Sequence, residues 1–194
     1  MFVEAVMEHL RKQLGESRSS SSSSSPGGAP LPFGVVEIPN QPMQGALTYA
    51  TAGLSSTTLK QPDGSLIRQE LLLCTHGQQA SDKLIQLLFF VGDRLRQEGE
   101  ALTAGEVLDL NEPVVPGSTL TALFFWSPLY FPEPAWRLET VEPPPILFAW
   151  AIPISHEEQL LVAREGPERL DELLAQQDPD LLDLTRRSVR LTPP

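Results

Sequence analysis

Apolar residues recur at helical spacing from the first turn of the chain. Phe2, Val6, Leu10 and Leu14 form one stripe, with Val3 and Met7 beside it. This predicts an N-terminal helix over residues 1–14, closed by Gly15. The pattern then stops. Residues 15–32 hold an unbroken serine run, Ser19 to Ser25, followed by Pro26-Gly27-Gly28. Such a segment buries too little apolar surface to offset its ordering entropy, so it reads as a disordered or extended linker. On this reading residues 1–32 are dispensable for folding, and the folded domain covers 33–194.

From Phe33 the pattern becomes strand-like. Val35-Val36-Glu37-Ile38 is one strand and Leu47 to Leu54 a second, with Gly53 marking a bulge or turn. Pro62-Asp63-Gly64 is a turn, because Gly64 accepts a positive φ. Leu66 to Cys74 then returns as a hairpin strand. It is apolar at successive positions, as a central strand covered on both faces should be.

Ser81 reads as an N-cap, and Leu84, Leu87, Leu88, Val91 and Leu95 form a helical stripe that Phe89 and Phe90 widen. Gly99 closes that helix. Residues 105–116 read as acidic loop or short strand, and Thr119 to Trp126 as a strand rich in β-branched and aromatic residues. Ser127 to Glu142 is a proline-broken excursion, and Pro143-Pro144-Pro145 a stiff entry into the buried strand 146–152. Ser155-His156-Glu157-Glu158 is a capping box, with Glu158 reaching back. Gly166 ends this helix and Pro167 starts the next, on Leu170, Leu173 and Leu174. Leu181 to Leu184 suggests a short helix or turn, and Ser188 to Leu191 a last strand.

Charge narrows the function. The 194 residues carry a net charge of −11. That excludes a nucleic-acid backbone binder, which needs clustered Lys and Arg. No apolar run reaches membrane-span length, and Glu4 and Glu8 break any signal-peptide pattern, so a cytoplasmic location is expected with no membrane contact. Cys74, the single cysteine, allows no internal disulfide and reads as a buried inert thiol. His9, His76 and His156 are scattered and lack zinc-ligand spacing. No phosphate-cradling loop and no Gly-x-Ser-x-Gly elbow is present. No catalytic residue, metal or cofactor is therefore expected. A small hydrolase working through carboxylates is the alternative, but nothing selects two acids among many.

Arg68 and Glu70 share a strand face, as an ion pair or a ligand contact. Two acidic stretches stand out. Glu98, Glu100, Glu106, Asp109 and Glu112 have no base among them, and only Arg164 and Arg169 answer the acids from Glu157 to Asp183. They read as a solvated face or as a surface for a basic protein partner. Glu157, Glu158, Glu168 and Glu172 are its candidate contacts, with Arg68 and Glu70. The expected oligomeric state is a monomer or weak homodimer.

The order of elements resembles the Suppressor of fused domain family over roughly residues 33–191. The matching parts are Tyr49 to Ser55, Arg68-Gln69-Glu70-Leu71, the long helix, Asn111-Glu112-Pro113 with Gly117-Ser118, and the strand into Pro153-Ile154. The Glu157-Glu158 helix, Gly166, the Leu-rich helix and Arg186-Arg187-Ser188-Val189 complete the set. Gly53, Leu54, Pro153 and Gly166 are its structural positions. The resemblance implies a single α+β domain, with a mixed, largely antiparallel central sheet and helices packed against it. It also implies a non-enzymatic binding role. Bacterial members are commonly assigned as immunity proteins of polymorphic toxin systems, which makes a basic toxin the expected partner. The resemblance implies one domain where the family's animal member has two, and Ser55-Ser56-Thr57-Thr58 stands where many relatives place an acid.

Overall fold

The computed structural model describes residues 2–24 and 28–191. In chain order its elements are α1 (Phe2–Leu14), β1 (Ser19–Ser21), β2 (Gly34–Pro39), β3 (Ala46–Ala52), β4 (Leu59–Lys60) and β5 (Leu66–His76). Then come α2 (Asp82–Glu98), β6 (Val107–Asp109), β7 (Leu120–Trp126), β8 (Arg137–Leu138), β9 (Ile146–Ser155), α3 (His156–Glu165) and α4 (Pro167–Gln177). The sheet runs β1-β2-β3-β5-β9-β7-β6, with β4 on β5 and β8 on β9. Among the described residues, these strands pair antiparallel except β5 with β9. This is the mixed, largely antiparallel α+β domain that the pattern and the resemblance predict.

The sheet is buried on both sides, which explains why its central strands show no apolar–polar alternation. Leu71 and Leu73 of β5 face one core, with Leu84, Leu88, Val91 and Leu95 of α2. Leu72 and Cys74 face the other, with Val6, Leu10 and Leu14 of α1, Leu161 of α3, and Leu170, Leu173 and Leu174 of α4. One helix thus covers one face, and three cover the other.

Helix α1 is joined to this core more closely than the serine run suggests. Val6, Leu10 and Leu14 are buried. Ser19–Ser21 continue from it as an edge strand on β2, and Arg18 pairs with Glu37 at 2.7 Å. Main-chain hydrogen bonds need no apolar side chain, so a serine run adds a strand wherever an edge is offered. Packing therefore reaches back past residue 33, to Phe2. Residues 25–27 of the expected linker lie outside the described residues.

Residues 181–184 form turns, one of the two forms the pattern allows, with Leu182 and Leu184 fully buried. Two further elements differ from the pattern. Residues 188–191 form no strand. They are held by side chains, with Val189 N–H donating to Glu158 at 2.9 Å. Helix α2 starts at Ser81 as expected, but the serine hydroxyl caps nothing. The Ser81 N–H donates instead to the Tyr49 hydroxyl at 3.1 Å.

Candidate functional site

The polar residues singled out in the sequence fall into two buried clusters and one exposed face. The first cluster surrounds Glu70, which is fully buried. Gly53 takes φ 106° at the end of β3 and opens a short 3-10 turn, Leu54–Ser56. The turn points donors at Glu70. Gly53 N–H reaches it at 2.9 Å, Ser55 N–H at 3.1 Å, Ser55 Oγ at 2.6 Å and Thr51 Oγ1 at 2.5 Å. Burial pushes the Glu70 carboxyl above its ordinary range, against the pull of those donors on its ionised form. Arg68 forms no ion pair with Glu70. Its guanidinium donates to the carbonyls of Ser55 and Ser56 at 2.8 and 3.3 Å, beneath the Phe2 ring at 4.2 Å. The two residues grip opposite ends of one turn, and Leu54 is buried in the α2-side core.

The second cluster surrounds Glu158, also fully buried. The capping box forms as the sequence predicts, with Ser155 Oγ accepting from Glu158 N–H and the Glu158 carboxylate accepting from Ser155 N–H. The same carboxylate takes a two-pronged contact from Arg186, at 2.7 and 2.9 Å. Arg186 also donates to the Pro153 carbonyl at 3.1 Å. These bonds tie the last segment of the chain to the corner where β9 becomes α3. Glu70 and Glu158 are therefore corrected from candidate contacts to internal supports, because neither carboxylate reaches the surface. The capping segment alone does not identify Arg186 as the partner of Glu158. The one sequence signal for it is the Arg186-Arg187-Ser188-Val189 run after the last helix.

Glu157, Glu168 and Glu172 are exposed. Glu157 is held below its usual range by the helix-start N–H and by the Ser155 hydroxyl. Gly166, at φ 90°, joins α3 to α4. Arg169 contacts Glu172 at 3.0 Å and Glu165 at 3.7 Å, and Arg164 contacts Glu165 at 2.7 Å. Tertiary packing brings part of the other acidic stretch here. Gly105 lies so close to Pro167 that a Cβ at Gly105 would sit 2.5 Å from that ring. Gln159 donates to Asp109 at 3.1 Å, and the Asn111 N–H, with Gln159, keeps Asp109 below its usual range. The edge strand β6 thus runs beside α3, and its one acid, Asp109, meets Gln159 of that helix.

The rest of that stretch goes elsewhere. Glu98, the last residue of α2, pairs within that helix with Arg94 at 2.8 Å, and Glu112 pairs with Lys83 of α2 at 3.4 Å. The base that Glu112 lacks in its local sequence arrives from the helix. Cys74 is buried, and burial pushes its thiol up to about 12, as expected of an inert core residue. Among the described residues, no cluster of three or more His, Cys, Asp or Glu is placed to hold a metal, and no helix is long and apolar enough to cross a membrane.

This architecture recurs in solved structures. A SUFU homolog from Neisseria gonorrhoeae FA 1090 superposes with a TM-score of 0.73 at 17% identity, covering 96% of each chain. The Sufu–Fu complex gives 0.70 at 14% identity, covering 96% of this chain and 91% of that one. Drosophila Suppressor of Fused gives 0.69 at 14% identity, covering 96% of this chain and 51% of the fly chain. A search of curated proteins found no match. The Suppressor of fused protein (SUFU) family profile matches residues 29–187. The chain belongs to the SUFU family.

Proposed function

We propose that this domain is a non-enzymatic protein-binding module of the immunity type, which neutralises a basic toxin through the acidic face of α3, α4 and the β6 edge. The observation that carries this reading is the convergence of acids distant in sequence, Asp109 from β6 with Glu157, Glu168 and Glu172 from the two helices. Asp109 and Glu157 are held ionised by local donors, and Arg164 and Arg169 leave the face acidic. Such a field raises the rate of encounter with a cationic partner and competes with an anionic substrate for it. That a relative is solved in the Sufu–Fu complex supports a binding role for the fold.

The test uses the protein encoded beside this gene. Its association rate should fall as salt rises, because exposed charges are screened beyond about 8–10 Å at physiological ionic strength. Glu157→Lys, Glu168→Lys and Glu172→Lys together should slow association further and flatten the salt dependence. Glu158 is left intact because it supports the fold. No association, or a rate indifferent to both salt and charge reversal, would overturn the proposal.

A further inference from the structure

Helix α1 and the edge strand β1 precede the family profile, which begins at residue 29. Residues 22–33 join them to β2. Val6, Leu10 and Leu14 bury α1 in one core with Val36, Ile38, Ala50 and Leu72 of the sheet. A terminal helix seated on three buried side chains, with a serine tether behind it, can open locally at less cost than unfolding the whole domain.

One side chain in this seat titrates near neutrality. His9 is half-buried. Its ring stacks on Phe148 of β9, with centroids 5.3 Å apart and planes 18° apart. Its Nε2 lies 3.4 Å from the Ala135 carbonyl, in the excursion between β7 and β8. The neutral ring suits both contacts, since one face rests on an aromatic ring and an Nε2–H donates to the carbonyl. The imidazolium is served worse. Burial pulls the imidazole below its ordinary 6.5, the Ala135 carbonyl opposes this, and Lys12 adds to it. Among the described residues, no acid pairs with His9. On α1, Glu8 is engaged by Arg11 at 2.6 Å. On the excursion Glu133 is exposed, and Arg137 of β8 pairs with Glu139 at 2.5 Å. From β9 the contact is the Phe148 ring.

We propose that His9 is a pH-sensitive latch, holding α1 on the sheet when neutral and loosening it when protonated. An imidazole that resists protonation while docked contributes fully above 6.5, and that contribution is lost as pH falls below it. At pH 5.5 a histidine of ordinary pKa is about nine-tenths protonated once released, so docking weakens by at most about tenfold. Opening uncovers the apolar seat beneath α1. A second group titrates near this helix. Glu70 supports the turn against which Phe2 and Val3 rest, through Arg68 and Gly53. Burial raises its carboxyl, so acid strengthens that support and acts against the latch.

Amide hydrogen exchange of the full chain at pH 7.5 and 5.5 tests this, with each rate divided by the intrinsic rate at that pH. Protection of the last α1 amides, Leu10 to Leu14, should fall by up to about tenfold relative to Leu88 to Leu95 of α2, which report on the whole fold. His9→Phe keeps a ring on Phe148 and takes up no proton, so it should remove this pH dependence. His9→Gln, which keeps a donor for Ala135, should remove it as well, and it decides the matter if the first variant does not fold. Glu70 is common to all three proteins, so the difference between them belongs to His9. Protection of α1 equal to that of α2 at both pH values would mean that the helix does not open locally, and would overturn the proposal. An α1 protection that stays constant relative to α2, or a fall that persists in the variants, would overturn it too.

Discussion

Glu70 and Glu158 are both fully buried glutamates, and both organise a turn at the end of a strand. Their environments differ. Glu158 meets a guanidinium that is itself only 4% exposed. Glu70 meets neutral donors alone, two main-chain N–H groups and two hydroxyls. A buried ion pair and a hydrogen-bonded carboxyl can thus do the same structural job. The pair fails catastrophically when one member is lost, because a bare charge stays behind. The nest fails by degrees, because hydroxyls reorient and the carboxyl can take up a proton.

The largest effect should follow from breaking the pair. Arg186→Ala leaves Glu158 buried without its cation and should destabilise the fold by about 3–5 kcal/mol. Urea unfolding measures this. Arg186→Met combined with Glu158→Leu should recover part of the loss, since removing both charges restores an apolar contact. If the double variant is no better than the single, the contribution lies in the hydrogen bonds to Pro153 and Val189 instead.

Removing Glu70 should matter less. Glu70→Ala strands buried donors and should cost about 2–3 kcal/mol. Glu70→Gln keeps the shape and exposes the effect of charge. The folded carboxyl titrates above its ordinary 4.5. Below 4.5 it is protonated in both states, and its full contribution to stability is present. As pH rises through the folded value the unfolded chain ionises first, so that contribution is lost. Stability of wild type relative to Glu70→Gln should therefore fall from pH 4.5 toward neutrality. A flat difference would show that the four donors cancel the burial penalty.

Gly53→Val attacks the same nest from its frame. At φ 106° a β-branched residue is strained, and its Cβ would lie 2.8 Å from Val3 and 3.0 Å from the Pro32 carbonyl. A loss of about 1–3 kcal/mol is expected, against little change for the exposed Ser56→Ala. Ser155→Ala should show the smallest effect. It removes one cap acceptor from α3, worth about 1 kcal/mol, while Arg186 still holds Glu158.

The sequence by itself determined most of the local structure. Helix stripes, the capping box, Gly53 and Gly99, and the doubly apolar central strands all express short-range sterics, hydrogen bonding and burial within a few residues, and a single chain displays these directly. Which charges face solvent was a tertiary decision. Glu157 and Glu158 are adjacent, yet one is exposed and the other meets Arg186, 28 residues away. Phe89 and Phe90 are adjacent, yet only one reaches the core. The serine run shows the same limit from the other side. Its side chains carry no folding signal, but the open edge of β2 supplies main-chain partners that composition cannot reveal. The fold also divides the acidic stretch 98–112, leaving Glu112 beside Lys83 of α2 and Asp109 beside Gln159 of α3. The physical reason is common to all of these. Backbone geometry and periodicity are properties of neighbouring residues, whereas the burial and pairing of a polar group depend on chain segments that only the folded topology brings into contact.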